Sequence, residues 1–273
     1  MTNRDKTRKV NTTTPSAARQ YHLRLAGGEA VPDADRDLAR RFDELFPHAD
    51  TCVLHLRAFL IRAVRFMTDN GIRQFLDIGS GLPTGNTHDI ARDRIPDARV
   101  VYVDNDPETV DHSRDLLLRQ KALTSTAIIA GDLRNPDDIF AHPAARRLIN
   151  FDEPLGVLLV SVLPFVPDSV RPRKLLARLY DFLPSGSYIA MTHGSPDDAD
   201  PQIQQQLAAA TTLYGQTFTP VTLRSRAQFA HLFSGFELVD PGITYAPDWH
   251  PDTTVDTTDP TRPCILAAIG YKP

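Results

Sequence analysis

The chain has 273 residues, 41% of them apolar, and a formal net charge of −4 from 30 Lys+Arg against 34 Asp+Glu. That is enough apolar material for a sizeable core, while the near-balanced charge argues against the broad basic face that a nucleic-acid backbone demands. Two cysteines, Cys52 and Cys264, can build neither a disulfide framework nor a four-cysteine zinc site, and no apolar run reaches membrane-spanning length.

A reducing, cytoplasmic setting is therefore expected, with no metal site in any spacing of His, Cys, Asp and Glu. Residues 1–14 carry Arg4, Lys6, Arg8 and Lys9 among Thr and Asn with no apolar stretch behind them. They read as a disordered leader and not as a secretory signal. Residues 15–71 read as an N-terminal helical cap. Within it, Pro15 to Pro32 is a mixed segment, and Leu38, Phe42, Leu45 and Phe46 share one face of a helix over Asp33 to Phe46. Val53, Leu56, Leu60, Val64 and Met67 mark a second helix, from Asp50 to Asn70, stopped at Asn70-Gly71.

From residue 72 to 273 strands and helices alternate. Strand one is Gln74–Ile78, followed by a helix over Thr87–Arg94. Strand two is Arg99–Val103, after which Asp106-Pro107-Glu108 caps a helix reaching Gln120. Strand three is Thr126–Ala130, and Asn135-Pro136 opens the next helix. Strand four, Gly156–Val162, is almost wholly apolar, as a central parallel strand should be. A helix over Pro172–Phe182, strand five over Ser187–Thr192 and a helix over Pro201–Leu213 follow. Ser225 and Gln228 form a capping box for Arg226–Phe233, and Phe236–Val239 and Ile265–Gly270 suit a terminal antiparallel pair. Between these two strands, Asp240–Pro263 is a long polar loop holding Trp249, the only tryptophan.

The informative stretch is Asp77-Ile78-Gly79-Ser80-Gly81, where strand one turns toward a helix. The glycines let backbone N–H groups face a ligand at close range. Asp104, after strand two, is placed to accept ribose hydroxyls, which fits a dinucleotide or S-adenosylmethionine equally. The turn discriminates. A dinucleotide site wants Gly-x-Gly-x-x-Gly, but here the third glycine is displaced to Gly85. The Asp77 carboxylate would repel a pyrophosphate and attract the ammonium of an amino-acid tail. Asp132 and Leu133, after strand three, can take the adenine amino group and cover its ring, and Ser161 lies at the switch point where open α/β sheets bind ligands.

These residues carry a family resemblance. Gln74 to His88, Arg99 to Pro107, Gly131 to Arg134, Leu163 to Asp168, Arg224 to Ala227 and Phe236 to Gly242 together resemble a bacterial family of S-adenosylmethionine-dependent methyltransferases long catalogued as a domain of unknown function. The resemblance spans roughly residues 16 to 271. It implies a Rossmann-like class I methyltransferase fold, with a seven-stranded, mainly parallel sheet, a terminal antiparallel pair and the N-terminal cap. By position it implies cofactor contacts at Gly79, Ser80, Gly81, Asp104, Asn105, Asp132, Leu133 and Ser161, beside Asp77 from the charge argument. The chain departs from the family pattern at Glu29 (usually lysine), Leu56 (usually asparagine) and Pro164 (usually histidine), and its turn reads a residue short.

The expected reaction is methyl transfer to a small-molecule acceptor by in-line displacement, gained mainly through alignment and desolvation. His193, after strand five, is the candidate general base; His88 reads as a structural hydrogen-bonding residue. Tyr21, His22 and Trp249 could line an acceptor pocket, though surface anchoring is the simpler reading for each. The alternative is a catalytically silent or non-methylating member of the fold, a ligand-binding or regulatory protein or a cyclase. The expected partners are a small-molecule acceptor and no nucleic acid or membrane, with the chain a monomer or homodimer.

Overall fold

The central strands Gln74–Ile78 and Gly156–Leu159 are buried at every position because both faces of the sheet are covered. The computed structural model describes residues 13–26, 31–82, 87–217 and 220–273. Most of the expected leader, Glu29 with Gly27-Gly28, and Pro83 to Asn86 of the turn lie outside these residues.

In chain order, α1 (Ala17–Ala26), α2 (Asp33–Leu45) and α3 (Ala49–Asp69) precede β1 (Gln74–Ile78). Then come α4 (Thr87–Arg92), β2 (Arg99–Asp104), α5 (Pro107–Arg119), β3 (Thr126–Ala130), α6 (Pro136–Ala141) and α7 (Pro143–Leu148). The second half holds β4 (Gly156–Leu159), α8 (Pro172–Phe182), β5 (Tyr188–Gly194), α9 (Pro201–Thr217), α10 (Arg226–Ala230), β6 (Glu237–Leu238), β7 (Thr244–Tyr245) and β8 (Ile265–Tyr271).

The sheet runs β3-β2-β1-β4-β5-β8-β6. The first five of these strands are parallel, and β8 is antiparallel to both β5 and β6. Seven strands were expected; an eighth, the two-residue β7, pairs with β8 at Ala267 and Leu266. Because the chain runs outward from β1 through β2 to β3 and then returns to β4, the strand order reverses between β1 and β4. A crevice opens at the C-terminal ends there.

Alternation along the strands sorts the core into two layers. Leu76, Ile78, Val101, Val103, Val157, Leu159 and Met191 meet residues of α6, α7 and α8 on one face. Phe75, Val100, Tyr102, Leu158, Ala190 and Ile269 meet α3, α4 and α5 on the other. The 21-residue α3 thus packs on the sheet itself through Phe59, Ala63, Val64 and Met67, all fully buried. Burial of Phe59, Val64 and Met67 contributes about 1.5–3 kcal/mol each.

Local chemistry acts as expected at Asp106, whose side chain accepts from the Glu108 N–H, and at the Ser225–Gln228 capping box. Asn135 starts α6 without a side-chain cap. Two readings are corrected. The Pro15–Pro32 segment contains a helix, α1, whose Ala, Leu, Arg and Gln residues are good helix formers and whose Arg19 and Arg24 tie it to neighbouring elements. Strand four ends at Leu159 and not at Val162, because Ser161 takes a left-handed conformation (φ 62°) that turns the chain out of the sheet.

Trp249 is a further correction. It neither anchors at the surface nor lines a pocket: it is fully buried, edge-on to Phe59 and Phe66 with ring centroids 5.5 and 5.4 Å away. Arg62 on α3 donates to the Trp249 carbonyl (2.8 Å) and the Ala246 carbonyl (2.7 Å), pinning the loop that the sequence left open. Trp249→Ala is expected to lower the unfolding free energy by about 3–5 kcal/mol, read as a reduced urea midpoint at unchanged slope.

Candidate functional site

Beyond the strand tips lies a cavity of about 1040 Å³. Its floor near the switch point is the turn after β1. Gly79 and Gly81 have φ of +70° and +63°, where a Cβ is strained, and a Cβ on Gly79 would lie 2.5 Å from Val162. The turn is tied to the neighbouring strand: the N–H groups of Gly79 and Ser80 donate to the Val103 carbonyl (2.7 and 3.1 Å). The Gly81 N–H donates to Asp104 Oδ2 (2.9 Å), while Asp104 Oδ1 accepts from the Asp106 N–H (3.0 Å).

Of the residues singled out from sequence, Asp77, Gly79, Ser80, Gly81, Asp104, Asn105, Asp132, Leu133 and Ser161 all line this one cavity. Asp77 is almost completely buried. Burial pushes its pKa up to about 6 against the Thr87 hydroxyl, which donates to it at 2.7 Å, and the Arg57 charge; the nearby Asp104 charge adds to the rise. Burial likewise raises Asp104 against its backbone hydrogen bonds. For Asp132 burial pulls upward but loses to the Arg134 guanidinium and N–H, so its carboxyl stays below the usual range. The Ser161 N–H donates to Thr192 Oγ1 at 2.8 Å. The Ser80 hydroxyl is buried at the cavity wall with no hydrogen-bond partner.

His193 does not line the cavity. Its ring turns into the core, where Nδ1–H donates to the Gly194 carbonyl (2.9 Å) and Nε2 accepts from Arg224 (2.7 Å). Burial lowers its pKa to about 4. Its one lone pair is occupied, so its expected role as general base is not supported. Arg224 also donates to the Leu163 and Val166 carbonyls and to Asp168, shaping the loop after β4. His88 is structural: its Nδ1 and its N–H both meet the Tyr102 hydroxyl, at 2.7 and 3.0 Å.

What sequence reasoning missed is that the first part of the expected N-terminal cap, before Pro32, is itself a helix at the site. Helix α1 lies across the strand tips, with Ala18 3.9 Å from where a Gly81 Cβ would be. Arg19 reaches Glu108 at the start of α5 (3.1 Å) and Asp35 on α2 (2.7 Å). Asp35 is fully buried and also accepts from the Ser16 N–H (2.9 Å). At the other end of α1, Arg24 pairs with Asp43 (2.8 Å) and Asp50 (2.7 Å). Tyr21 lines the cavity beside Arg57, its phenol pushed up to about 12 by burial despite Arg57. His22 is not on the wall. Two positions where the chain departs from the family pattern, Leu56 and Pro164, line the cavity as well. Pairings between α1 and α2 depend on side chains 16 residues apart, for which no spacing rule exists.

Comparison with known proteins agrees with this geometry. A family model described as S-adenosyl methyltransferase matches residues 3–273. The chain belongs to that family. It is 36% identical to a Thermobifida fusca protein assigned provisionally as a methyltransferase, over 96% of each chain with a TM-score of 0.87. It is 32% identical to a DUF574 family protein from Streptomyces avermitilis, over 97% of this chain and 100% of that one, also with a TM-score of 0.87. The S-adenosylmethionine-dependent methyltransferase SibL shares the fold alone, at 18% identity over 92% of this chain and 62% of that one, with a TM-score of 0.53. No match is found among the curated proteins. The expected α/β class I methyltransferase fold is therefore the fold of this family member. Among the described residues, no helix is long and apolar enough to cross a membrane.

Removing the carboxylate that holds α1 leaves Arg19 without its buried partner. Asp35→Ala is expected to destabilise the cover by about 3–5 kcal/mol, seen as faster amide hydrogen exchange in α1 than in β1 and β2.

Proposed function

We propose that this chain transfers a methyl group from S-adenosylmethionine to a small-molecule acceptor by in-line displacement. One observation carries the reading: Asp77 and Asp104, at the tips of adjacent strands, flank a glycine turn in a single cavity, and burial raises both. Two buried carboxylates that repel each other fit a cationic ligand far better than a pyrophosphate. The unpartnered Ser80 hydroxyl fits a polar ligand in the same place.

In this reading Asp77 holds the ammonium of the amino-acid tail. Asp104 keeps lone pairs for two ribose hydroxyls while its backbone bonds fix its rotamer. Gly79, Ser80 and Gly81 let the ligand approach the backbone. Asn105 and Asp132 face the adenine amino edge, and Leu133 covers the ring. Ser161, strained but tied to Thr192, shapes the wall beside the reacting group. When bound, S-adenosylmethionine supplies an electrophilic methyl group and carries away the leaving thioether. The protein's share is alignment and exclusion of water, and α1, from the 15–71 cap, closes the 72–273 body over the site.

Calorimetry with S-adenosylmethionine and with its demethylated product checks this: both bind to folded protein, and Asp104→Ala abolishes binding while the unfolding transition persists. Unchanged affinity in Asp104→Ala would show that the ribose site lies elsewhere.

The pH dependence has two opposed signs. Asp77 must be ionised to attract an ammonium, so affinity falls as pH drops through about 6. Ionised and buried, the same group costs the ligand-free fold stability, so its contribution to stability improves as pH falls from about 6 toward its unfolded value near 4. Asp77→Asn is expected to flatten both trends, measured by calorimetry and urea unfolding from roughly pH 4 to pH 7, a range that spans both values.

A further inference from the structure

Among the described residues, four arginines line the cavity: Arg19, Arg24, Arg57 and Arg134. Three of them are engaged by acids of the protein itself. Arg19 pairs with Asp35 and Glu108, Arg24 with Asp43 and Asp50, and Arg134 with Asp132. Arg57, on α3, makes no ion pair and no hydrogen bond among the described residues. It nevertheless stands close enough to Asp77 at the tip of β1 and to Tyr21 on α1 for both to feel its charge. The Tyr21 hydroxyl, on the same cavity wall, has no hydrogen-bond partner among the described residues either.

From this we infer that Arg57, with the Tyr21 hydroxyl, binds the carboxylate of the amino-acid tail of S-adenosylmethionine and makes the N-terminal cap selective for it. The inference rests on the methyl-transfer reading and deepens it. An amino-acid tail carries its ammonium and its carboxylate on one carbon. Its site therefore needs an anion and a cation that are neighbours without being joined. Asp77 and Arg57 meet that condition: they face one cavity from a strand tip and a helix, near each other but not paired. Had they met as an ion pair, each would neutralise the other; held apart, each keeps its charge for the ligand.

The choice of a carboxylate follows from the donors and their surroundings. A guanidinium presents a planar fork that matches a carboxylate, and a phenol O–H beside it adds another donor. A phosphate would suit the fork too, but Asp77 and Asp104 line the same cavity and repel a dianion. The carboxylate of an amino acid escapes that repulsion because its own ammonium lies between it and the acid. A half-buried guanidinium without a counter-ion also gains more from an incoming anion than one already paired. A selection rule results. A nucleoside that keeps the adenosine and the ammonium but lacks the carboxylate leaves Arg57 and Tyr21 unanswered, and it binds more weakly.

The test is calorimetry with S-adenosylhomocysteine and with decarboxylated S-adenosylhomocysteine, which keeps the adenosine and the ammonium. The unaltered protein is expected to bind the first about tenfold to a hundredfold more tightly. Arg57→Gln is expected to lose S-adenosylhomocysteine affinity by a similar factor. Its affinity for the decarboxylated compound is expected to stay unchanged, which also shows that the variant folds. Arg57→Lys keeps the charge without the fork and is expected to recover part of the loss. Tyr21→Phe is expected to cost less, and again for S-adenosylhomocysteine alone. Equal affinity of the unaltered protein for the two compounds would overturn the inference without any variant and leave the methyl-transfer reading standing. So would an Arg57→Gln protein that loses both compounds alike, or neither. Failure of S-adenosylhomocysteine to bind the unaltered protein would overturn that underlying reading and this inference with it.

Discussion

The hydrogen bond from the Gly81 N–H to the Asp104 carboxylate is the constraint on which the site depends. It can form only because β1 and β2 are parallel and in register, with Ile78 beside Val103, so their tips end together. It can be short only because Gly79 and Gly81 adopt left-handed backbone that other residues resist. The same bond turns Asp104 so that its remaining lone pairs face the cavity. One interaction thereby fixes the turn, aims a carboxylate and sets the floor against which any ligand must lie.

Charge burial works at two places in opposite ways. At the strand tips Asp77 and Asp104 are buried near each other and both are raised, an arrangement that costs stability when they ionise. Across the cavity Asp35 is buried just as deeply, but Arg19, the Gln20 amide and the Ser16 N–H surround it. The second cluster is satisfied within the protein and holds the cover; the first lines the cavity. Burial alone does not distinguish functional from structural acids. The kind of partner does: Arg19 donates directly to Asp35, whereas Asp77 accepts from the Thr87 hydroxyl and Asp104 from the Gly81 and Asp106 N–H groups.

His193 teaches the same lesson in reverse. A histidine after a strand in a parallel sheet invites a catalytic reading, yet its position in β5 aims the ring at Arg224 and Phe229 and away from the cavity that its neighbours Thr192 and Gly194 line. Successive residues of a strand face opposite sides, so a one-residue difference separates wall from core. Trp249 was illegible for a related reason: nothing local marks a loop tryptophan as buried, and only α3, nearly two hundred residues earlier, supplies Phe59, Phe66 and Arg62 to enclose it.

By itself the sequence determined what depends on short-range chemistry. Apolar runs bounded by turn residues marked the five parallel strands, the glycine pair marked the turn, and Asp77, Asp104 and Asp132 marked three tips that parallel pairing must bring to one edge. The tertiary structure alone decided what depends on side chains meeting across long separations. It placed α1 over the tips through Arg19, Asp35 and Glu108, made an aromatic corner from Phe42, Phe46 and Tyr214, set Cys52 against Cys264, and turned His193 inward. Periodicity reports which face of an element is buried, but the partner on that face is chosen by packing, and packing is not written in any local pattern.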